Sequence, residues 1–370
     1  MKKLSKVCEF LDNQRIPIRD VDREKMRGLY PYYGASGIID YVNDYIFDEE
    51  LILLGEDGAN IINRSTPLAF MVEGKIWVNN HAHVLKPIKP YDRFFICAYL
   101  ESIAYDKYNT GTAQPKLNRE VCEKIPIPVP PMGEQRKIAE ILGVWDKAIE
   151  KQSQLIERLE VRKRALMQRL LTGRVRLSGF TTPWQKIKLG EIFKERNETR
   201  CEELPLLSIT ADKGVILQSE LDKKDTSNDD KSKYKRICPN DIGYNTMRMW
   251  QGRSALSSLE GIVSPAYTIV TPKVDVDMMF VSELIKQPRV VYDFWTHSQG
   301  LVGDTLNCKF HDFSQVKVAI PSHPEQKAIA EVLTAADNEI ATHRKKLEAL
   351  RLQKRGLMQQ LLTGKTRVKI

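Results

Sequence analysis

No stretch of the 370 residues approaches the ~18 consecutive apolar residues of a membrane-spanning helix, and the N-terminus has no signal-peptide core. Cysteine is sparse. Cys8, Cys97, Cys122, Cys201, Cys238 and Cys308 are scattered without a Cys-x-x-Cys spacing, which argues for reduced thiols in a cytoplasm over disulfides or structural zinc. His81 and His83 alternate as strand residues do, but no third ligand follows at a recognisable spacing, so no metal is expected. Catalytic signatures are absent as well: no Asn-Pro-Pro-Tyr or Asp-Pro-Pro-Tyr loop, no glycine-rich cofactor turn, no phosphate loop and no nuclease-type spacing of acids and lysine. These absences argue against an unaided enzyme and against any cofactor held by this chain itself.

Glycine and proline also avoid two long segments. Residues 134–173 and 325–364 contain no proline and, before their closing glycines, only Gly143 and Gly356. The segments align with each other without a gap and with about half their positions identical, which makes an internal repeat the dominant feature of the chain. Good helix formers fill both, so each is expected to form a helix on the order of 57 Å long at 1.5 Å per residue. Pro324 suits the start of the second helix, and both copies end in Leu-Leu-Thr-Gly, where Gly173 and Gly364 can adopt a left-handed cap.

Alternating spacings of four and three define a heptad seam in each copy. In the first it comprises Ile138, Leu142, Trp145, Ile149, Gln152, Ile156, Leu159, Lys163, Leu166 and Leu170. In the second it comprises Ile329, Leu333, Ala336, Ile340, His343, Leu347, Leu350, Lys354, Leu357 and Leu361. The polar interruptions, Gln152 with His343 and Lys163 with Lys354, fall at matching places, and polar seam residues fix register at some cost in stability. A single defined pairing is therefore expected.

The net charge of +9 is unevenly placed. Residues 131–180 and 322–370 carry +5 each, whereas residues 1–130 carry −1 and residues 181–321 carry none. Within the helices the cations gather toward the C-terminal halves (Arg158, Arg162, Lys163, Arg164 and Arg169; Arg344, Lys345, Lys346, Arg351, Lys354 and Arg355). Such a bar suits a polyanion, and the solvated face of a long helix accounts equally well for any one residue.

The rest of the chain divides around these helices. Residues 1–130 form a first globular domain, 131–173 the first long helix, 174–183 a linker, 184–321 a second domain, 322–364 the second helix and 365–370 a basic tail. Short apolar runs at 51–54, 68–72, 76–78 and 84–85, with a helix at 93–104, make the first domain mixed α and β; runs at 215–217, 241–244 and 267–270, with a helix at 278–286, do the same for the second. Each domain reaches its helix through a similar hinge, residues 111–118 in the first and 300–307 in the second. The linker is too short to return along the first helix, so the expected fold class is α+β: two globular domains separated by a long antiparallel two-helix coiled coil, with the pseudo-twofold symmetry of a tandem duplication.

Aromatics, amides and arginines on loops are the side chains that read base edges. The candidates in the first domain are Tyr32, Tyr33, Ser36, Asn63, Arg64, Asn79, Asn80, His81 and Gln114; in the second they are Asn245, Thr246, Arg248, Trp250, Gln251 and Arg253. Turn chemistry and the core packing of Met247, Met249 and Trp250 compete with that reading.

Two diverged domains, each ending in an Ile-x-Ile-Pro-like strand and a Glu-Gln-x-x-Ile-Ala-x-x-Leu helix that closes on Leu-Leu-Thr-Gly, resemble the specificity subunit of type I restriction-modification systems. Asn245-Thr246-Met247-Arg248 followed by Ser264-Pro265-Ala266-Tyr267, and Gly34-Ala35-Ser36-Gly37 through Asn80-His81-Ala82-His83, also look like its target-recognition patterns. The resemblance implies a non-catalytic reader of double-stranded DNA in a bacterial or archaeal cytoplasm. Such a reader binds two methyltransferase subunits, which carry S-adenosylmethionine, and through them a restriction (translocase-nuclease) subunit. Because the two domains differ, an asymmetric bipartite site is implied. A specificity module of another restriction architecture would share these features, and a structural coiled-coil bridging protein would explain the helices alone.

Overall fold

The computed structural model of the chain describes residues 1–210, 213–221, 227–300 and 306–369. They fall into two compact units: Met1–Gln154 with Arg344–Ile370, and Leu155–His343. Both are mixed α and β, and each takes in one globular segment and part of both long helices.

In the first unit the strand Leu51–Gly55 is central to a four-stranded antiparallel sheet, between Ala82–Pro87 and Ala69–Val72, with Cys8–Phe10 outermost. All four leucines and isoleucines of Leu51–Leu54 are buried because alternate residues feed two cores. Ile52 and Leu54 join Phe95, Ile96 and Leu100 of the helix Arg93–Ser102, while Leu51 and Leu53 join Phe47, Ile76 and Val78 on the other side. A second sheet runs in the order Gly37–Val42, Arg27–Gly34, Lys75–Val78 and Phe47–Asp48.

The second unit repeats the first sheet's plan. Ile242–Asn245 is central, Tyr267–Pro272 and Ser254–Leu256 flank it, and Phe193–Glu195 is outermost. Its core is aromatic: Phe313 stacks on Tyr244 at 5.0 Å and on Phe294 at 5.3 Å. Each unit also pairs its opening strand with the strand that leads into its long helix, Lys2–Lys3 with Pro126–Ile127 and Gln185–Lys188 with Lys317–Ile320. The two globular segments therefore open and close on the same antiparallel pairing.

The long helices span Met132–Leu170 and His323–Leu361, so each ends three residues earlier than the repeat itself. The Leu-Leu-Thr-Gly signal acts as expected: Gly173 has φ 67° and Gly364 φ 74°. None of the twenty seam residues is exposed. Within the first unit Ile138 and Leu142 share a core with Met358, Leu361 and Leu362; within the second, Leu170 and Leu171 share one with Ile329, Ala330 and Leu333. In both, the start of one helix packs on the end of the other, which is the antiparallel arrangement.

The seam lysines have partners across that interface. Lys163 Nζ lies 2.7 Å from Asp337 Oδ1, and Lys354 pairs with Asp146, the equivalent residues of the other copies. Several cations expected along a basic bar are likewise engaged within the protein, Arg162 with Glu339 and Arg351 with Glu348.

Two elements depart from expectation. The helix Pro288–His297 was not foreseen, since its Val-Val-Tyr-Asp-Phe-Trp composition favours a strand and only Pro288 at the first position signals a helix. The basic tail is fastened as well: Arg367 forks onto the buried carboxylate of Glu134 with both contacts at 2.6 Å, and Val368 packs on the first unit's core. Of the second hinge, residues 301–305 lie outside the described residues.

Candidate nucleic-acid interface

The frame around each site is the same. In the first unit Gln135 accepts from the backbone N–H of Asp92 and donates to Pro130 O; in the second Gln326 does so with Asp277 and Pro321. Asp92 and Asp277 in turn cap the helices that follow them by accepting from Phe95 and Phe280 N–H. Arg176 forks onto buried Glu325 at 2.5 and 2.6 Å, repeating the Arg367–Glu134 contact. Against these matched frames the two sets of loops differ.

Several first-unit candidates are spent on holding the domain together. Tyr32 is buried, its hydroxyl accepts from Ile18 N–H at 3.1 Å and its ring lies under the Arg23 guanidinium. Tyr33 packs on Phe70. Arg64 adopts a left-handed backbone at φ 52°, pairs with Glu101 at 2.8 Å and covers the Tyr105 ring. Asn79 is buried and accepts from His81 N–H, so it closes a turn. Ser36, Asn63, Asn80, His81 and Gln114 remain exposed, with His81 Nδ1 2.7 Å from Asp57 Oδ2.

Beneath the exposed turns lies a buried cluster that motif reading did not single out. His83 is 1% exposed; its Nδ1 meets Asp12 Oδ2 at 2.8 Å and its Nε2 meets Leu117 O at 2.7 Å. Both partners are acceptors, so both ring nitrogens carry protons. Burial pushes the imidazole pKa down, but Asp12 and Cys122 outweigh burial and hold it at about 10. Arg15 extends the cluster to Glu56 and to Ala82 O, each at 2.8 Å, and Lys116 lies 3.4 Å from Glu56. Segments at Asp12–Arg15, Glu56 and Lys116–Leu117 are thereby tied to the strand Ala82–Pro87 at one point. The available signal was a histidine inside an otherwise apolar strand. Among the described residues no set of three or more potential metal ligands gathers, and His81 and His83 turn to different carboxylates.

The second unit's loop resolves into two kinds of side chain. Asn245 ends a central strand, and the chain then makes a 3-10 turn at Met249–Gln251 that Gly252 closes at φ 74°. Met249 is fully buried, and the Trp250 indole donates to Met247 O at 3.0 Å. Arg248, Gln251 and Arg253 point outward, and neither arginine has a side-chain partner among the described residues. Both line a cleft of about 350 Å³ with Ile209, Thr210, Asn245 and Tyr267. Tyr267 and Asn245 are register partners, so the two sequence patterns at 245–248 and 264–267 meet at this cleft. Two guanidiniums without a side-chain partner among the described residues, beside an amide and a phenol, can donate to base edges or phosphate oxygens.

The profile of the type I restriction modification DNA specificity domain matches residues 1–161 and 286–352. The chain belongs to this family. It is similar to the type I restriction enzyme MjaVIII specificity subunit of Methanocaldococcus jannaschii, with 26% identity across 94% of this chain and 88% of the relative. A putative type I restriction enzyme specificity subunit of Haemophilus influenzae is 36% identical over 142 residues, which are 38% of this chain and 36% of that one. Among solved structures, the type I S subunit from M. genitalium superposes with a TM-score of 0.59 over 98% of this chain and 95% of its own at 15% identity. A chain from a study of type I restriction-modification complex assembly gives 0.54 over 97% and 96%, also at 15%. At that identity the likeness concerns the fold, which is the mixed α and β architecture described above.

As a specificity subunit the chain is the DNA-recognition component of its system, without a catalytic role of its own. No helix of the described residues is long and apolar enough to cross a membrane. All six cysteines are free, and burial raises Cys8, Cys97 and Cys308 to about 12, so these thiols are poor nucleophiles.

Proposed function

We propose that each unit reads one half of a bipartite, asymmetric DNA site and that the chain docks two methyltransferase subunits, which bring S-adenosylmethionine, and through them a restriction subunit. The observation that carries this reading is one frame built twice around unlike loops. Arg367–Glu134 matches Arg176–Glu325, Lys354–Asp146 matches Lys163–Asp337, and Gln135 matches Gln326. The loops that differ are the Asn79–His81 turn over a buried imidazolium in one unit and a two-arginine cleft in the other. Equivalent frames suit two equivalent docking events; unlike loops suit two unlike half-sites.

In the second unit Arg248 and Arg253 are the groups that donate to the duplex, with Asn245 and Gln251 beside them for adenine-type edges. In the first, Asn80, Gln114, Ser36 and Asn63 are the exposed side chains that can do so, with His81 beside them held by Asp57. Methylome sequencing of a host with and without the gene tests the whole reading. The expected result is one bipartite motif that appears with the gene, one half of which changes when residues 184–321 are exchanged for those of a relative. A continuous or symmetric motif would overturn it.

A further inference from the structure

The helix Pro288–His297 has no counterpart in the first unit. There, the helix Arg93–Ser102 is followed by the turn Asp106–Tyr108 and the short helix Arg119–Cys122 before the first long helix begins. In the second unit the helix Met278–Leu284 leads at once into Pro288–His297. Val290 and Phe294 anchor it in the core, and it lies against the turn Met249–Gln251: a Cβ on Gly252 would meet Val291 Cγ2 at 3.0 Å. It therefore buttresses the loop that carries Arg248 and Arg253.

Its other face is open. The side chain of Arg289 is 80% exposed, and Tyr292 and Trp295 are 51% and 47% exposed at spacings of three. The two rings sit 5.5 Å apart and the Arg289 guanidinium lies 5.7 Å from the Tyr292 ring, so the three form one continuous patch. Exposed aromatics of this size mark a binding surface. Two features select its occupant. The exposed positions Pro288, Arg289, Tyr292, Trp295, Thr296 and His297 include no carboxylate; Asp293, the nearest, is mostly covered and 3.6 Å from Arg289. A protein docked equivalently on both units would also need this patch twice, whereas DNA with unlike half-sites needs it once.

We propose that Arg289, Tyr292 and Trp295 form a DNA-backbone contact of the second unit, with Arg289 on a phosphate and the two rings against adjoining deoxyribose. The contact adds affinity without base preference. This rests on the reading that the neighbouring Arg248–Arg253 loop engages DNA.

The test uses the full chain and a long duplex of mixed sequence across a range of salt. Arg289→Ala should weaken binding for all sequences alike and lower the salt slope by about one. A Tyr292→Ala/Trp295→Ala double variant should bind about tenfold more weakly with the slope unchanged, and Tyr292→Phe/Trp295→Phe should restore most of the affinity at an unaltered unfolding midpoint. If these variants bind as the parent does while Arg248→Ala/Arg253→Ala loses binding, this inference falls and the reading of the loop stands. If the loop variant also binds normally, the reading falls with it. Loss of methyltransferase binding with DNA affinity intact would make the patch a protein-docking face and overturn the proposal.

Discussion

Changing Asp12 to asparagine removes the charge that keeps His83 protonated. The imidazole is buried and meets acceptors at both nitrogens, Asp12 Oδ2 at 2.8 Å and Leu117 O at 2.7 Å. Its pKa rises from an ordinary 6.5 to about 10. A raised pKa means that the folded state holds a proton the unfolded chain releases, so the stabilisation is fully present below pH ~6.5 and is lost as pH rises through ~10. Between those limits the first unit should lose stability steadily, by an amount on the order of 4 kcal/mol from neutral pH upward. Asp12 acts in the other direction. Its pKa is lowered, because although burial raises it, hydrogen bonding from His83 and Val84 and the charges of His83 and Arg15 outweigh that; its contribution is therefore lost as acid protonates it. In Asp12→Asn the only carboxylate left near the imidazolium among the described residues is Glu56, 3.8 Å away, so a cost of about 3–5 kcal/mol is expected at neutral pH. Hydrogen exchange of the strand Ala82–Pro87, followed from pH 7 to 10, reports this unit separately, which matters because two units need not unfold in one step. His83→Gln supplies the control, since it should abolish the slope. A parent protein whose exchange stability is flat over that range, or an Asp12→Asn cost below about 1 kcal/mol, would refute the account.

Arg248→Ala should cost about 1–3 kcal/mol at the second unit's half-site alone if the guanidinium forks onto a base; a uniform loss with a smaller salt slope would place it on phosphate instead, and unchanged binding would return that loop to packing. Leu142→Ala and Leu333→Ala, at equivalent buried seam positions, should each destabilise the protein by about 2–5 kcal/mol. Hydrogen exchange should show the first effect among residues 1–154 and the second among residues 155–343, and a cost under 1 kcal/mol for both would mean that the seam is not tightly packed. The purified chain given S-adenosylmethionine and duplex DNA should transfer no methyl group until a methyltransferase partner is added, and turnover by the lone chain would refute its assignment as a non-catalytic subunit.

Much of the frame was legible because it is periodic. The seam positions follow from spacing alone, and a residue on a helix's covered stripe is buried whatever the loops do. The strands at 51–54, 215–217 and 267–270 were similarly visible as short apolar runs, close to the observed Leu51–Gly55, Val215–Leu217 and Tyr267–Pro272. The Arg176 and Arg367 clamps were missed although the signal was present. Each lies three residues beyond its Leu-Leu-Thr-Gly, so extending the repeat past the capping glycine would have aligned them, and the buried Glu134 and Glu325 required cationic partners.

The reading surfaces were less legible for a physical reason. Composition identifies which side chains can hydrogen-bond to bases, but direction decides which of them do so, and direction at a loop depends on contacts distant in sequence. Arg64 and Arg248 are alike as residues. Arg64 is turned inward by Glu101 and Tyr105, residues of a helix and turn some forty positions on, whereas Arg248 stays outward because buried Met249 and left-handed Gly252 fix the turn beneath it and no carboxylate lies within reach among the described residues. The same holds for the three tyrosines at 30, 32 and 33, which share one strand yet meet a lysine, an arginine and a phenylalanine in turn. A loop arginine is therefore evidence of a reader only once its carboxylates have been located, and among the described residues that criterion separates Arg248 and Arg253 from Arg64.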